Sequence, residues 1–354
     1  MFFTSDNAAG AHPRILEAVR RAAEGPAAAY GADPWTARME AMVREVFEAP
    51  EARAYAVATG TAANALALAT LVPPWATVYA HEESHVENDE CGAPEFYTGG
   101  AKLTLIGGAD AKIDAGALAA RIAAAAPHGV HNVQNGALSL TQASELGAVY
   151  GLEETRRLCA IARAAGMPVH MDGTRFANAL VHLGATPAEA SWKAGVDVLC
   201  LGATKNGALG AEVVILFDPA RAWEFELRRK RGGHLFSKMR FVAAQVEAYL
   251  EDGLWLEMAA HANAMAQRLA AGLARAPGCR VLNTVEANMV FAAIPLGLHR
   301  RLQEAGARYY AARGGQDEAG PDDAPFEIRL VCSFETRADE VDRFVALAGG
   351  RSGG

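Results

Sequence analysis

Short apolar runs alternate with longer helix-patterned stretches from about residue 54 to residue 217, and no other feature constrains the fold as much. Ala54-Tyr55-Ala56-Val57-Ala58, Thr77-Val78-Tyr79-Ala80 and Lys102-Leu103-Thr104-Leu105-Ile106 read as strands. So do Gly129 to Leu140, Pro168-Val169-His170-Met171-Asp172, Val196 to Leu201 and Glu212 to Phe217. Ala62–Leu71, Ala115–Ala126 and Leu152–Ala165 carry helical patterning between them. Strands separated by helices of ten or more residues pair in parallel, because the crossover needs that length. The expected class is therefore α/β, with a mostly parallel central sheet covered by helices. Function in such a sheet sits at the carboxyl ends of its strands.

The pattern changes on either side. Before the first strand, Ile15, Leu16 and Val19 recur at helical spacing behind His12-Pro13, and Trp35 to Phe47 repeats that pattern. After about Leu250 a helix over Leu254–Ala274 precedes Val281-Leu282, Met289-Val290-Phe291, Arg308-Tyr309-Tyr310 and Phe326 to Cys332. The expected division is an arm over 1–14, a large domain over 15–250 and a small α+β domain over 251–354. Gly314 to Ala324 reads as an exposed loop.

Composition excludes several classes. Thirty-three basic against 41 acidic residues leave a net charge of −8, contrary to the basic footprint of a nucleic-acid-binding chain. No uninterrupted run of about 20 apolar residues occurs, so no membrane span is expected. Met1-Phe2-Phe3-Thr4-Ser5-Asp6 lacks the basic-then-apolar order of a secretory leader. Cys91, Cys159, Cys200, Cys279 and Cys332 are odd in number and dispersed, which points to reduced thiols and a cytoplasmic chain.

Three strand ends bear on chemistry. Val57-Ala58-Thr59-Gly60-Thr61 leads from strand to helix, where free backbone N–H groups and threonine hydroxyls would hold a phosphate. Such a turn is also a common plain connection. Asp172, in His170-Met171-Asp172-Gly173-Thr174-Arg175, would face the crevice, or serve as a helix cap. Lys205 follows an apolar strand among small residues, in Leu201-Gly202-Ala203-Thr204-Lys205-Asn206-Gly207. There it is either a desolvated nucleophile or a snorkelling surface lysine. Taken together, a phosphate turn, an acid and a lysine in that order are the parts required to hold pyridoxal 5'-phosphate: anchor, partner for the pyridinium nitrogen, and amine for the carbonyl. An oxidoreductase reading is disfavoured, because no G-x-G-x-x-G follows the first strand.

At the level of motifs, the chain resembles the low-specificity L-threonine aldolases, fold-type I pyridoxal-phosphate enzymes grouped with the β-eliminating lyases. The resemblance runs nearly end to end through TSDN at Thr4, YGADP at Tyr30, ATGTAAN at Ala58, HEESHVENDE at His81, HMDGTR at His170, LGATKNGALG at Leu201 and IRLVCSF at Ile328. It implies retro-aldol cleavage of β-hydroxy-α-amino acids such as L-threonine, L-allo-threonine and phenylserine to glycine and an aldehyde. By the same resemblance Lys205 bonds the cofactor, Asp172 partners its ring nitrogen, Arg175 lies beside its phenolic oxygen, and Gly60 and Thr61 bind its phosphate. His85 stacks on the ring and approaches the substrate hydroxyl, with Glu90 in that pocket and His131 as a second histidine near the hydroxyl. Ser5 and Arg329 hold the substrate carboxylate. Tyr30, as a substrate-binding residue, and the Arg228 to Lys238 cluster resemble segments that reach a neighbouring subunit's site, implying a homodimer or homotetramer with shared sites. No metal is implied. Where many members carry Glu-Asn-Thr-His, this chain has Thr141-Gln142-Ala143-Ser144, which leaves side-chain and stereochemical preference open. A β-eliminating amino-acid lyase, or a non-catalytic pyridoxal-phosphate-binding protein, remains the alternative.

Overall fold

Seven strands form the large sheet: β1 (Arg53–Val57), β2 (Ala76–His81), β3 (Lys102–Ile106), β4 (Gln134–Thr141), β5 (Val169–Gly173), β6 (Val198–Gly202) and β7 (Glu212–Leu216). The computed structural model describes residues 1–312 and 314–350. The spatial order is β1-β7-β6-β5-β4-β2-β3. β2, β3, β4, β5 and β6 run parallel, while β7 is antiparallel to both β1 and β6. The connection 203–211 explains the reversal, since it is too short to carry a helical crossover. β7 therefore turns straight back beside β6, and the loop it closes holds Lys205.

Helices cover both faces. The helix Gly60–Leu71 is buried continuously from Ala62 to Leu71, as expected of a helix apolar on all sides. Its alanines let it lie close to the sheet and aim its amino end at the strands' carboxyl edge. The helices Pro13–Ala22, Pro34–Val46 and Arg240–Leu250 pack together on the other side.

The second sheet, antiparallel, comprises β8 (Arg280–Val281), β9 (Met289–Pro295), β10 (Tyr310–Ala311) and β11 (Pro325–Val331) in the order β10-β11-β9-β8. The helix Leu254–Leu273 links it to the large sheet. The first residues do not hang free as an arm. Phe3 is fully buried in the small domain's core against Phe344, and its backbone bonds Arg308 and Val331.

One expected strand begins later than its apolar run. Ala126–His131 forms a 3-10 turn and β4 starts only at Gln134, whose amide caps the Gly129 and Asn132 carbonyls. Burial along the strand begins at Gly136. This displacement fixes the position of His131.

Candidate active site

The carboxyl edge of the large sheet and the amino end of the helix Gly60–Leu71 enclose a cavity of about 250 Å³, lined by Thr59, Gly60, Thr61, His85, Lys205 and Glu212 among others. Thr59 caps the helix, its hydroxyl accepting from the Ala62 N–H at 3.2 Å. A Cβ at Gly60 would meet only the Thr174 hydroxyl, at 3.6 Å, so the turn presents open backbone to the cavity.

Asp172 lies near the end of β5, buried at 2% exposure. Its Oδ1 accepts from the Thr174 N–H at 2.9 Å and the Thr174 hydroxyl at 2.7 Å, and its Oδ2 accepts from Asn64 Nδ2 at 2.9 Å. Burial opposes the charge, but the Thr174 bonds and nearby His85 hold the carboxyl below its ordinary range. Asn64 Nδ2 also donates to Glu90 Oε1 at 2.8 Å. That same oxygen meets His85 Nδ1 at 2.9 Å. A continuous chain thus runs Asp172–Asn64–Glu90–His85. The Glu90 bond raises the His85 pKa, while burial raises that of Glu90. Ligand atoms of His85, Glu90 and Asp172 lie within 4.8 Å of one another, but the Asn64 N–H groups already point at both carboxylates, where a cation would have to displace them.

Lys205 is half-buried in the connection after β6, with no hydrogen-bond or ion-pair partner among the described residues. Burial, and then the Arg175 charge, lower its pKa. Arg175 itself is buried and grips Asp6 through two bonds, Nε to Oδ2 at 2.7 Å and Nη2 to Oδ1 at 2.9 Å. Asn288 Nδ2 donates to the same Asp6 carboxylate at 3.0 Å. Arg329, on β11, brings a second guanidinium toward Arg175 and lies 3.5 Å from the Thr4 carbonyl. Burial and then Arg175 depress its pKa, the signature of a cation without a carboxylate of its own. Ser5 stands beside it at the start of the Asp6–Ala8 turn, its hydroxyl accepting from the Asn7 N–H.

Of the residues expected at the site, Lys205, Asp172, Arg175, Gly60, Thr61, His85, Glu90, Ser5 and Arg329 converge here. Two do not. His131 is exposed ahead of the amino end of β4, beside Arg121 and Tyr79, at the opposite edge of the sheet from Thr141. At that end it cannot meet a substrate bound at Lys205 of its own chain. Tyr30 is exposed too, with the Lys230 ammonium 4.6 Å over its ring, in a separate cleft with Glu226 and Arg229.

Four further residues belong to the site and had no assigned role in the motif reading. Asn64 and Asp6 sit inside the quoted ATGTAAN and TSDN segments, but their partners are 108 and 169 residues away along the chain. Glu212 opens β7, and its buried carboxyl is lifted by desolvation to about 7. Glu145, half-buried after β4, adds to the rise of the His85 pKa and offsets a small part of the lowering at Lys205 and Arg329.

This arrangement has close counterparts among known proteins. The β-eliminating lyase family matches residues 3–295. A low specificity L-threonine aldolase of Pseudomonas sp. is 39% identical over 344 residues, covering 97% of this chain and 96% of that protein. The protein of the same name from Pseudomonas aeruginosa is 40% identical over 339 residues, with 96% and 94% covered. Among solved structures, a Leishmania major threonine aldolase superposes with a TM-score of 0.90 at 26% identity, covering 98% of each chain. The chain belongs to the β-eliminating lyase family and, within it, to the group of the low specificity L-threonine aldolases.

Proposed function

We propose that this chain is a pyridoxal 5'-phosphate-dependent aldehyde-lyase that cleaves L-threonine, L-allo-threonine and related β-hydroxy-α-amino acids, phenylserine among them, to glycine and an aldehyde. The observation that carries the reading is one cavity joining an unpartnered Lys205 to an open helix-start turn at Gly60, with Asn64 and Thr174, which hold the buried Asp172 carboxylate through three bonds, on its wall. Unmet bonding fits a ligand that brings hydrogen-bond donors: Asn64 Oδ1, on the cavity wall, and Glu90 Oε2, next to it in the bonded chain, are buried without partners. Bound there, pyridoxal phosphate supplies a carbonyl that bonds amines and a protonated ring that accepts electrons.

The protein's own groups divide the remaining work. Thr59, Gly60 and Thr61 offer backbone N–H groups and hydroxyls to a phosphate at the helix start. Asp172 stays ionised and keeps a ring nitrogen protonated. Lys205, its pKa lowered by burial, is a better nucleophile than a solvated lysine. Arg329, with Ser5 beside it, suits a substrate carboxylate, while Arg175, fixed by Asp6, is left for the cofactor's phenolic oxygen. His85, oriented by Glu90, accepts the β-hydroxyl proton directly or through a water. In the net reaction the Cα–Cβ bond breaks, the oxygen loses its proton and becomes the aldehyde carbonyl, and Cα gains a proton.

No helix among the described residues is long and apolar enough to cross a membrane, and all five cysteines are unpaired, which supports a cytoplasmic enzyme. Exposed Phe96, Trp223 and Tyr30 support a homodimer or homotetramer. Product analysis with L-threonine, L-allo-threonine and phenylserine, at saturating cofactor, tests the reading. Glycine with the matching aldehyde is expected; ammonia and an oxo-acid would replace it with a β-eliminating lyase, and no turnover with a non-catalytic binder.

A further inference from the structure

Glu212 stands where two functional segments converge. In register it lies beside Gly202 of β6, which leads to Lys205, and beside Val57 of β1, which leads to the Thr59–Gly60–Thr61 turn. It lines the same cavity as that turn and the lysine. Its Oε2 accepts from the Ala203 N–H at 3.0 Å, and the carboxyl is 5% exposed, so no water shell supports a charge.

The surrounding elements offset that burial only in part. From the connection after β6 come the Thr204 hydroxyl, a hydrogen-bond partner, and the Lys205 ammonium, whose pKa burial lowers. From β5 comes the like charge of Asp172. Cys200 on β6 and Tyr249 on the helix Arg240–Leu250 stay neutral, because burial pushes both pKa values up. On the β1 side the Ala58 N–H donates to His234, whose pKa burial and then Arg229 lower. The result is a carboxyl that titrates at about 7.

A helix amino terminus with free N–H groups favours a doubly charged phosphate. A buried carboxylate in the same cavity opposes it, and like charges brought together away from water resolve by protonating one partner. We propose that Glu212 takes up one solvent proton when a phosphate-bearing ligand enters the Thr59–Gly60–Thr61 turn. The carboxylate becomes a carboxyl, and no covalent bond of the ligand changes. A neutral carboxyl then presents an O–H donor where the ionised form only accepts. The inference rests on the cofactor reading given above and adds to it a proton bound together with the phosphate.

Equilibrium binding to the full-length chain stripped of cofactor, followed from neutral pH upward, tests this. The probes are pyridoxal phosphate, pyridoxal without its phosphate, and sulfate, a dianion that neither titrates there nor reacts with lysine. Wild-type affinity for pyridoxal phosphate and sulfate should fall relative to Glu212→Gln as pH rises, approaching about tenfold per pH unit for one coupled proton. Pyridoxal should show no such difference between the two chains. Glu212→Gln retains an oxygen for the Ala203 N–H. If it follows the wild-type curve with both anions, the inference fails while the cofactor reading stands. If wild type binds no pyridoxal phosphate at any pH, the cofactor reading fails with it. An infrared difference spectrum of the wild-type chain with and without sulfate provides a second reading that does not depend on the variant folding. A new neutral-carboxyl band supports proton uptake, and its absence overturns it.

Discussion

Asn64→Leu removes the amide that joins the two buried carboxylates while keeping the side chain's branching and approximate volume, so no large cavity is added. Asn64 Nδ2 donates at 2.8 Å to Glu90 and at 2.9 Å to Asp172. Hydrogen bonds to charged groups contribute roughly 1.5–3 kcal/mol each. Asp172 retains both Thr174 donors and Glu90 retains His85, so the loss falls toward the lower end of the sum, about 3 kcal/mol. The pH dependence has a definite sign. The folded pKa of Asp172 is depressed, so its stabilisation is present above the unfolded carboxylate value and disappears as pH falls through the folded one. Losing the Asn64 bond raises the folded value, and acid unfolding of the variant should therefore begin at higher pH. Urea unfolding near neutral pH, repeated across an acid series, measures both effects. A loss below about 1 kcal/mol, the scale of an ordinary exposed contact, together with an unchanged acid midpoint, would show that the bridge does not hold these carboxylates.

Other outcomes follow from the same geometry. Glu90→Gln should lower the pKa of His85, read from its ring resonances, because the Glu90 bond is the largest cause of its elevation. The stability gained from that pair is fully present below the unfolded histidine value and is lost as pH rises through the folded one, and the variant should lack this loss. His131→Ala should leave kcat/KM within about twofold of wild type, as for an ordinary surface substitution; a drop of about a hundredfold would bring His131 back into the chemistry. Arg329→Gln should cost roughly 1.5–3 kcal/mol in kcat/KM for amino-acid substrates, with little change in cofactor absorbance. Asp6→Ala should destabilise the fold by about 3–5 kcal/mol in thermal or urea unfolding, because it leaves the buried Arg175 guanidinium unpaired.

The parallel sheet was legible because strand-length apolar runs separated by helical stretches leave few alternatives. Residues placed at a strand end were legible for the same reason: Asp172 and Lys205 each stand at the end of a run whose direction and burial the pattern sets. β7's reversal was implicit in the shortness of its connection to β6. The amino boundary of β4 was not legible, since Val130 and Val133 extend the apolar run without being buried in the sheet; His131 was suggested by the family resemblance and not by the strand pattern, which puts it at the amino end either way. The polar partners escaped for a different reason. Asn64, Asp6 and Glu212 have local contexts typical of helix, arm and strand, and their importance comes from bonds to distant segments that no spacing rule encodes.

Those distant bonds also explain why the N-terminal segment belongs to the site. Phe3 anchors in the small domain, and three residues later Asp6 grips Arg175 in the large one, while Asn288 from the loop before β9 holds the same carboxylate. The three segments meet at a single carboxylate beside the cationic wall formed by Arg175 and Arg329. Any shift of the small sheet relative to the large one must therefore strain the Asp6 bonds and displace the Arg175 guanidinium. Asp6 thus couples the docking of the small sheet to the placement of Arg175, alongside the packing of the helix Leu254–Leu273 on the helix Phe176–Leu183.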